Sequence, residues 1–563
     1  MLPEERTIKG RKLAWRNGSL IADDPATAWN GLIEARELTE SDPFFAPRLA
    51  DLPDPLDMTD MEKAATRVVK AISCGENIHI FGDFDADGVN GTAILLEALR
   101  GAGASVSSSI PHRADDGHGI GVEPVRAAVA AGVKLGISVD TGTTCFKACS
   151  EARDSGLDLI VSDHHLPESS LPDAFALLNP ARADCGFAER KLCGTGVAFF
   201  LLMAVWKKLT EAGHRPAFDL RELLDRVAVA TVADVMDIVV VNRILVYHGL
   251  HRLNTQASVG MRALLAVAKV KKAVSAETIG FYLAPRINAA GRLQHGEAAM
   301  RLLSTHDADE AAMLAEELDA TNKQRRVVEA EVFKQAEFVL GDSAVLAVYD
   351  QRWHAGVVGL AAGRLARKHG KPAAVGFVGP DGAIRVSLRG SAGFHIGDLL
   401  NICSDYLEGF GGHAGAGGGT IKAGQWDGFS HAFGEAVRMQ SVHAEDHQLQ
   451  PVDGILGLGC MHIGLAERLA RFEPLGRANP ACIWLLQDIQ IADRRDLRGG
   501  VTRLKLTDGK HWLDGIVFRA GAYGDAIEAG LTVSVLGQLQ KDDYRGNGAV
   551  QFVIEDVLET AIS

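Results

Sequence analysis

Between about residues 70 and 240 the chain alternates short apolar runs with amphipathic stretches, and three of those runs end at or just before an aspartate. IHIF (Ile78 to Phe81) leads into Asp83, LGISVD (Leu135 to Asp140) closes on Asp140, and LDLIVSD (Leu157 to Asp163) closes on Asp163. The segments between them, such as TAILLEALRGAG and CFKACSEARDSG, are amphipathic. The rhythm is βαβ and predicts a parallel sheet. In an open α/β sheet, ligands bind outside the carboxyl ends of the strands. Three strands that deliver carboxylates to that edge therefore define a site rather than surface decoration.

The densest part is GDFDADGVNG (Gly82 to Gly91), with Asp83, Asp85 and Asp87 at alternate positions directly after a strand. On an extended backbone, alternate side chains point to one side. Like charges this close repel, and protonation or cations relieve the repulsion. Hard oxygen donors suit Mg²⁺ or Mn²⁺. A solvated acidic turn or a calcium-type loop is the competing reading, although no Glu closes the D-x-D-x-D-G run at the twelfth position. SVDTGTT (Ser138 to Thr144) adds Asp140, and VSDHHLP (Val161 to Pro167) adds Asp163, His164 and His165. Imidazoles beside a carboxylate cluster favour Mn²⁺ or a similar ion over Mg²⁺ alone. TVADVMDI (Thr231 to Ile238) contributes Asp234 after an apolar helix. Four such segments in order read as one metal-binding constellation.

Downstream, Glu297 to Leu340 places apolar residues at helical spacing without a strong breaker, predicting a helix pair whose long second member is a rigid connector. A second α/β segment runs from about Ser343 to Val437 and holds the glycine cluster GFGGHAGAGGG (Gly409 to Gly419). SVHAEDHQLQP is the next linker. TRLKLTD, WLDGIVF, LTVSVLGQLQ and AVQFVIEDV then alternate at period two between Gly and Asp turns, as in a small antiparallel barrel. The 563 residues suffice for about three to four such domains.

A net charge of −14 argues against sequence-blind adhesion to DNA or anionic membrane, while leaving room for a local basic groove. The longest apolar stretch, Gly196 to Trp206, is too short to span a bilayer and reads as a buried helix. The start MLPEERTIKGRK shows no secretory signal, so a cytoplasmic protein is expected. Eight scattered cysteines without a CxxC pair fit reduced thiols better than disulfides or structural zinc.

In this order, DFDADG, VD-x-G, DHH and VADV resemble the four motifs of the DHH phosphoesterases. The likeness leans toward the branch of bacterial single-strand DNA exonucleases. It continues through PHRADDGHG (Pro111 to Gly119), NPARADC, LCGTGVAF, APRINAAGRL (Ala284 to Leu293), WHAGVVGLAAGRL (Trp353 to Leu365), GFGGHAGAGG and EPLGRANP (Glu473 to Pro480). It implies an α/β protein: two α/β domains of DHH and DHHA1 type joined by a long helix, plus a C-terminal antiparallel β-barrel of OB-like kind. The implied divisions are an N-terminal segment 1–50, a catalytic domain 51–296, connecting helices 297–342, a substrate-binding domain 343–440 and an OB fold 451–563.

The implied activity is metal-dependent 5′→3′ hydrolysis of single-stranded DNA in recombination and repair, with two Mn²⁺ or Mg²⁺ ions. By the same resemblance Asp140 bridges the ions, Asp85 with Asp83 serves one, and Asp87, His164 and Asp234 serve the other. His165, Arg286 and His413 are catalytic, with Asp163 and His165 in an outer shell that orients ligands or touches phosphate. Arg113, Arg292 and Arg389, with Gly412, bind substrate, because a guanidinium fork matches phosphate oxygens. Ordinary salt-bridge arginines and a turn-rich hinge are the bland alternatives for these basic residues and for the His413 loop. The barrel, with Lys505, Trp512, Tyr544 and Arg545, serves either strand binding or protein docking. A single-stranded-DNA-binding protein and a repair helicase are the implied partners of a monomer.

The pattern is departed from at Met236-Asp237-Ile238, where a proline-leucine-aspartate run is common, and at His118, Gly390 and Gly417. None of these removes a proposed ligand. A relative that hydrolyses short RNA or cyclic dinucleotides is the runner-up, against which the long barrel argues. A catalytically dead scaffold is the other alternative, against which the intact ligand set argues.

Overall fold

The computed structural model describes residues 6–558 apart from 10, 17–19, 112–118, 294–295, 342, 445–448, 519, 543–544 and 547. The first α/β unit is built on five parallel strands. Their spatial order is Ser105–Ser109, Asn77–Phe81, Leu135–Val139, Asp158–Ser162 and Ala176–Leu178. Leu135–Val139 is buried along its whole length, as a central parallel strand covered on both faces must be. The first strand in the chain lies between the second and the third. The crevice between Asn77–Phe81 and Leu135–Val139 is therefore the topological switch point, where ligands of such sheets bind. Asp83, Asp85 and Asp87 follow one of these strands and Asp140 follows the other.

The apolar stretch read as a buried helix is the heart of Gly194–Glu211, which shares one core with Ala86–Gly101 and Leu224–Ala233. The helix pair is Glu297–Ser304 and Ala308–Leu340. The second has 33 residues, a length of about 50 Å. Asp307 caps it by accepting from the Asp309 and Glu310 amides. Ala311, Leu314, Ala315 and Leu318 sit in the core of the first unit, whereas Val332, Phe333 and Ala336 sit in that of the second. The helix is thus a shared wall of two cores, which is what makes it a stiff connector.

The second α/β unit has a mixed sheet in the order Leu407–Gly412, Ala416–Ile421, Ile384–Arg389, Ala373–Val378 and Ala347–Tyr349. Only its last pair is parallel. In the barrel, Trp484–Asp496, Val501–Thr507, Trp512–Phe518, Val550–Val557 and Thr532–Lys541 close on one another in that cyclic order. The pairing of Trp512–Phe518 with Val550–Val557 is parallel, so the barrel is not antiparallel throughout.

Three described elements of the N-terminal segment join the barrel unit. Lys12–Trp15 pairs in parallel with Leu449–Val452, and Ile21–Ala22 with Gly454–Leu456. Helix Pro25–Ala35 buries Trp29 and Leu32 in the barrel core. Arg16 and Arg36 both reach the buried Asp453 carboxylate, at 3.0 and 3.2 Å. Strands this short carry almost no periodicity, and their partners lie far along the chain.

Among the described residues, no helix is long and apolar enough to cross a membrane. The cysteines are all free thiols, six of them buried.

The division of the long helix between two cores makes a differential prediction. Phe333→Ala removes a buried ring that Arg364 and Lys368 cover, and it destabilises the second unit by about 3–5 kcal/mol. Leu318→Ala instead weakens the first unit by about 2–5 kcal/mol. Hydrogen exchange on the intact chain checks this, with lost protection expected in different units for the two variants.

Candidate metal centre

The acidic loop is fixed by hydrogen bonds from backbone amides to its carboxylates. Asp85 caps helix Ala86–Gly101, its Oδ1 accepting from the amides of Asp87 at 2.8 Å and Gly88 at 3.1 Å. The Asp87 carboxylate accepts from the amides of Gly194 at 2.6 Å and Thr195 at 2.8 Å, at the start of the next buried helix. A Cβ on Gly194 would lie 2.6 Å from that of Asp140, so only glycine lets this helix approach. Asp140 has φ +61°, a left-handed conformation that costs a non-glycine residue about 1–3 kcal/mol and clusters at functional sites. Its amide donates to the Ser162 carbonyl at 3.0 Å, tying it to the neighbouring strand.

Three groups of donor atoms result: Asp83, Asp85 and Asp140; Asp87, His164 and Asp234; and Asp140, His164 and His165. Within each, the donors lie within 4.8 Å of one another. His164 Nε2 is 3.0 Å from Asp140 Oδ1, 3.7 Å from Asp234 Oδ2 and 3.8 Å from Asp87 Oδ2. Asp163 faces elsewhere. It accepts from the amides of Thr143, His164 and His165 and pairs with His165 Nδ1 at 2.8 Å. Asn179, which sequence reasoning passed over within NPARADC, fixes this turn by donating to Thr143 Oγ1 and to the His165 carbonyl.

Burial, then repulsion from Asp87, Asp85 and Asp83, holds the Asp140 carboxyl well above the usual range. Burial, with Asp87 and Asp85, pushes Asp234 up to about 8, against the opposing charges of His165 and Arg477. Burial also lowers His164, which keeps the neutral form that ligates metals. His165 is raised to about 9 by its hydrogen bond to Asp163, in spite of burial. Burial opposes ionisation of Asp163, but that hydrogen bond, the His165 charge and the Thr143 amide hold it below the carboxylate range. Asp140 Oδ1 and Asp234 Oδ2 are buried and receive no hydrogen bond. Orphaned anionic oxygens among carboxylates are costly unless a cation joins them. Oxygen donors with one or two imidazole nitrogens fit Mn²⁺ or Mg²⁺.

The chain matches the DHH family, N-terminal domain, over residues 77–231, the DHHA1 domain over 341–439 and the RecJ OB domain over 452–556. It is 32% identical over 589 residues to the single-stranded-DNA-specific exonuclease RecJ of Salmonella typhimurium, covering 99% of this chain and 100% of that protein. The chain belongs to the RecJ family. Identity to the Bacillus subtilis protein of the same name is also 32%, over 91% of this chain but 65% of that longer relative. The crystal structure of Thermus thermophilus RecJ in complex with Mn²⁺ superposes with a TM-score of 0.79 at 27% identity, covering 98% of this chain and 80% of that one. A complex of the Thermus protein with Mg²⁺ has also been solved.

In this RecJ-family chain the helix Ala284–Leu293 lies directly on the acidic loop. Asn288 Oδ1 accepts from the Ala86 amide at 2.7 Å, and a Cβ on Gly291 would stand 2.5 Å from the Phe84 carbonyl oxygen. Both residues belong to the APRINAAGRL motif, which signalled them without giving their role. Arg286 is not turned to the carboxylates. Its Nε and Nη2 pair with Asp319 Oδ1 on the long helix at 2.9 and 2.7 Å. Arg292 and Arg389 come from different units but border the same helix, Ala355–His369. Arg292 Nη1 donates to the Gly356 carbonyl at 3.2 Å, and a Cβ on Gly359 would lie 2.9 Å from Arg389 Nη2. Gly412 ends strand Leu407–Gly412 and the exposed His413 opens the turn to Ala416–Ile421, both outside the three donor groups. On the barrel, Arg503, Lys505 and Arg545 surround the Asp514 carboxylate, and Trp512 is exposed. Arg113, His118 and Tyr544 lie outside the described residues.

The raised groups give the metal-free protein a signed pH dependence. Asp234 moves from 3.8 to about 8, so the folded state keeps a proton that the unfolded chain releases, and stability falls as pH rises across that interval. His165, raised from 6.5 to about 9, stabilises fully below 6.5 and loses that contribution as pH climbs toward 9. The lowering of His164 acts in the opposite sense, but below its ordinary 6.5. The chelated protein therefore melts at lower temperature at pH 8 than at pH 6.5, and saturating Mn²⁺ narrows the difference. Melting curves with chelator and with Mn²⁺ check this; parallel pH slopes in both would contradict it.

Proposed function

We propose that this chain is a metal-dependent exonuclease that removes nucleotides from the 5′ end of single-stranded DNA, in recombination and repair. The observation that carries the reading is the set of donor groups sharing Asp140 and His164 at the switch point of a RecJ-family sheet. In this reading Asp83, Asp85 and Asp140 would hold one divalent ion, and Asp87, His164 and Asp234 the other, with Asp140 as the shared carboxylate. Such a pair, Mn²⁺ or Mg²⁺, supplies an activated water and neutralises charge on the phosphate and the leaving oxygen.

The chain's own residues do the rest. Asp163 accepts from His165 Nδ1 and keeps the ring an imidazolium, so that Nε2–H also donates, to a phosphate oxygen. Arg292 and Arg389, with Arg113, clamp phosphates bidentately from the two α/β units. His413, beside Gly412, reaches the scissile phosphate from the second unit. Arg286 acts through Asp319 as a positioning residue, holding the helix that carries Asn288 and Gly291 against the acidic loop. The barrel holds the strand by stacking on Trp512 and by its basic side chains. A cytoplasmic monomer that works beside a single-stranded-DNA-binding protein and a repair helicase completes the reading.

End-labelled single-stranded DNA and RNA, each end blocked in turn, with Mn²⁺, Mg²⁺ or chelator, test the proposal. Release of labelled mononucleotide from free 5′ ends of DNA is expected, and degradation only from 3′ ends would overturn the polarity. Asp140→Ala lowers turnover by at least about 10³-fold while the fold is kept, since it dismantles both ion positions. Retention of a tenth of the activity in Mn²⁺ would contradict the bridging role. His413→Ala lowers kcat far more than it raises KM, with bound metal unchanged, because a contact made only in the transition state does not help the ground state. Metal analysis beside the kinetics separates that role from ligation.

A further inference from the structure

The motif EPLGRANP has no part in the metal centre as described, yet its turn lies against the loop that carries Asp234. Asp234 ends helix Leu224–Ala233, and five loop residues lead on to helix Val240–Thr255. The loop is strained. Val235 has φ +55° and an exposed side chain, and a β-branched residue in the left-handed region is a true outlier that persists only where its surroundings over-determine it.

Those surroundings come from two units. Asp237 Oδ2 receives Lys191 Nζ at 2.6 Å from the first α/β unit, and its Oδ1 receives Arg477 Nε at 2.9 Å from the barrel unit. The Ile238 amide donates to the Arg477 carbonyl at 2.8 Å. Ile238 is buried, and a Cβ on Gly476 would come within 2.7 Å of its Cγ1. The turn is itself anchored in return. Arg243, buried, donates to the carbonyls of Arg471, Phe472, Glu473 and Pro474. Asn479 Nδ2 bonds the carbonyls of Phe472 and Pro474, both at 2.8 Å.

We infer that the turn Phe472 to Asn479 positions Asp234 by clamping its loop, with Arg477 as the positioning residue, so that the barrel unit completes the metal centre. Groups that orient a ligand change metal affinity by about 10–100-fold when removed. The ion served by Asp87, His164 and Asp234 is the one that should loosen. The inference rests on the metal-centre reading above, and its test keeps the two apart.

The full-length chain, wild type and with Arg477→Ala, Arg477→Lys and Gly476→Val, is titrated with Mn²⁺ while free Mn²⁺ is followed by electron paramagnetic resonance. Arg477 is 61% exposed in its side chain, so Arg477→Ala should fold even where Gly476→Val does not. Arg477→Ala is expected to weaken the more weakly bound Mn²⁺ about tenfold. The Mn²⁺ needed for half-maximal activity should rise alike, and KM for single-stranded DNA should change less than twofold. Arg477→Lys, which keeps a cation for Asp237, should recover part of the affinity. Unchanged Mn²⁺ affinity in Arg477→Ala overturns the inference, and unchanged affinity with a raised KM would make Arg477 a strand contact instead. A wild-type chain that binds no Mn²⁺ would overturn the metal-centre reading itself.

Discussion

The mutual repulsion of carboxylates gathered around Asp140 is the constraint from which the rest of the structure follows. Asp83, Asp85, Asp87, Asp140 and Asp234 converge with two imidazoles in a largely buried crevice. No chain would assemble this without compensation, since each buried charge loses its hydration. The compensation is built locally wherever it can be. The start of one helix lends two amides to Asp87, a helix cap takes up one oxygen of Asp85, and four donors converge on Asp163. What remains unsatisfied, on Asp140 and Asp234, is what a divalent cation would satisfy.

The scaffold is arranged to hold these groups still. Helix Ala284–Leu293 presses on the acidic loop, and the long helix buries one end in each α/β core, so the two α/β units share one rigid beam. The N-terminal residues and the barrel form a third body that is joined to the first unit through Arg243 and the Glu473 to Pro480 turn. Strain at the buried Asp140 is tolerated because packing leaves it no other conformation, whereas Val235 is held by the contacts of Asp237 and Ile238 that follow it in the loop.

Much of this was legible in the chain. Strands ending in aspartate, the long helix and the period-two barrel followed from local patterning, which depends on neighbours a few residues apart. Other features were not. The resemblance sets Asp163 in an outer shell, but the hydrogen bonds from Thr143, His164 and His165 that turn it away from the donor groups carry no sequence signal. Arg286 sits in a telling motif, yet its guanidinium is taken up by Asp319, thirty-three positions on.

By itself the sequence determined which residues supply the chemistry and the order in which they arrive at the sheet edge, because strand periodicity and motif spacing are short-range properties. Only the tertiary structure decided which carboxylates face one another, that Lys12–Trp15, Ile21–Ala22 and Pro25–Ala35 belong with the barrel unit, and that a barrel turn braces the loop of Asp234. Those are contacts between segments tens to hundreds of residues apart. They are set by packing and hydrogen-bond satisfaction across the whole molecule, for which a linear pattern carries no signal.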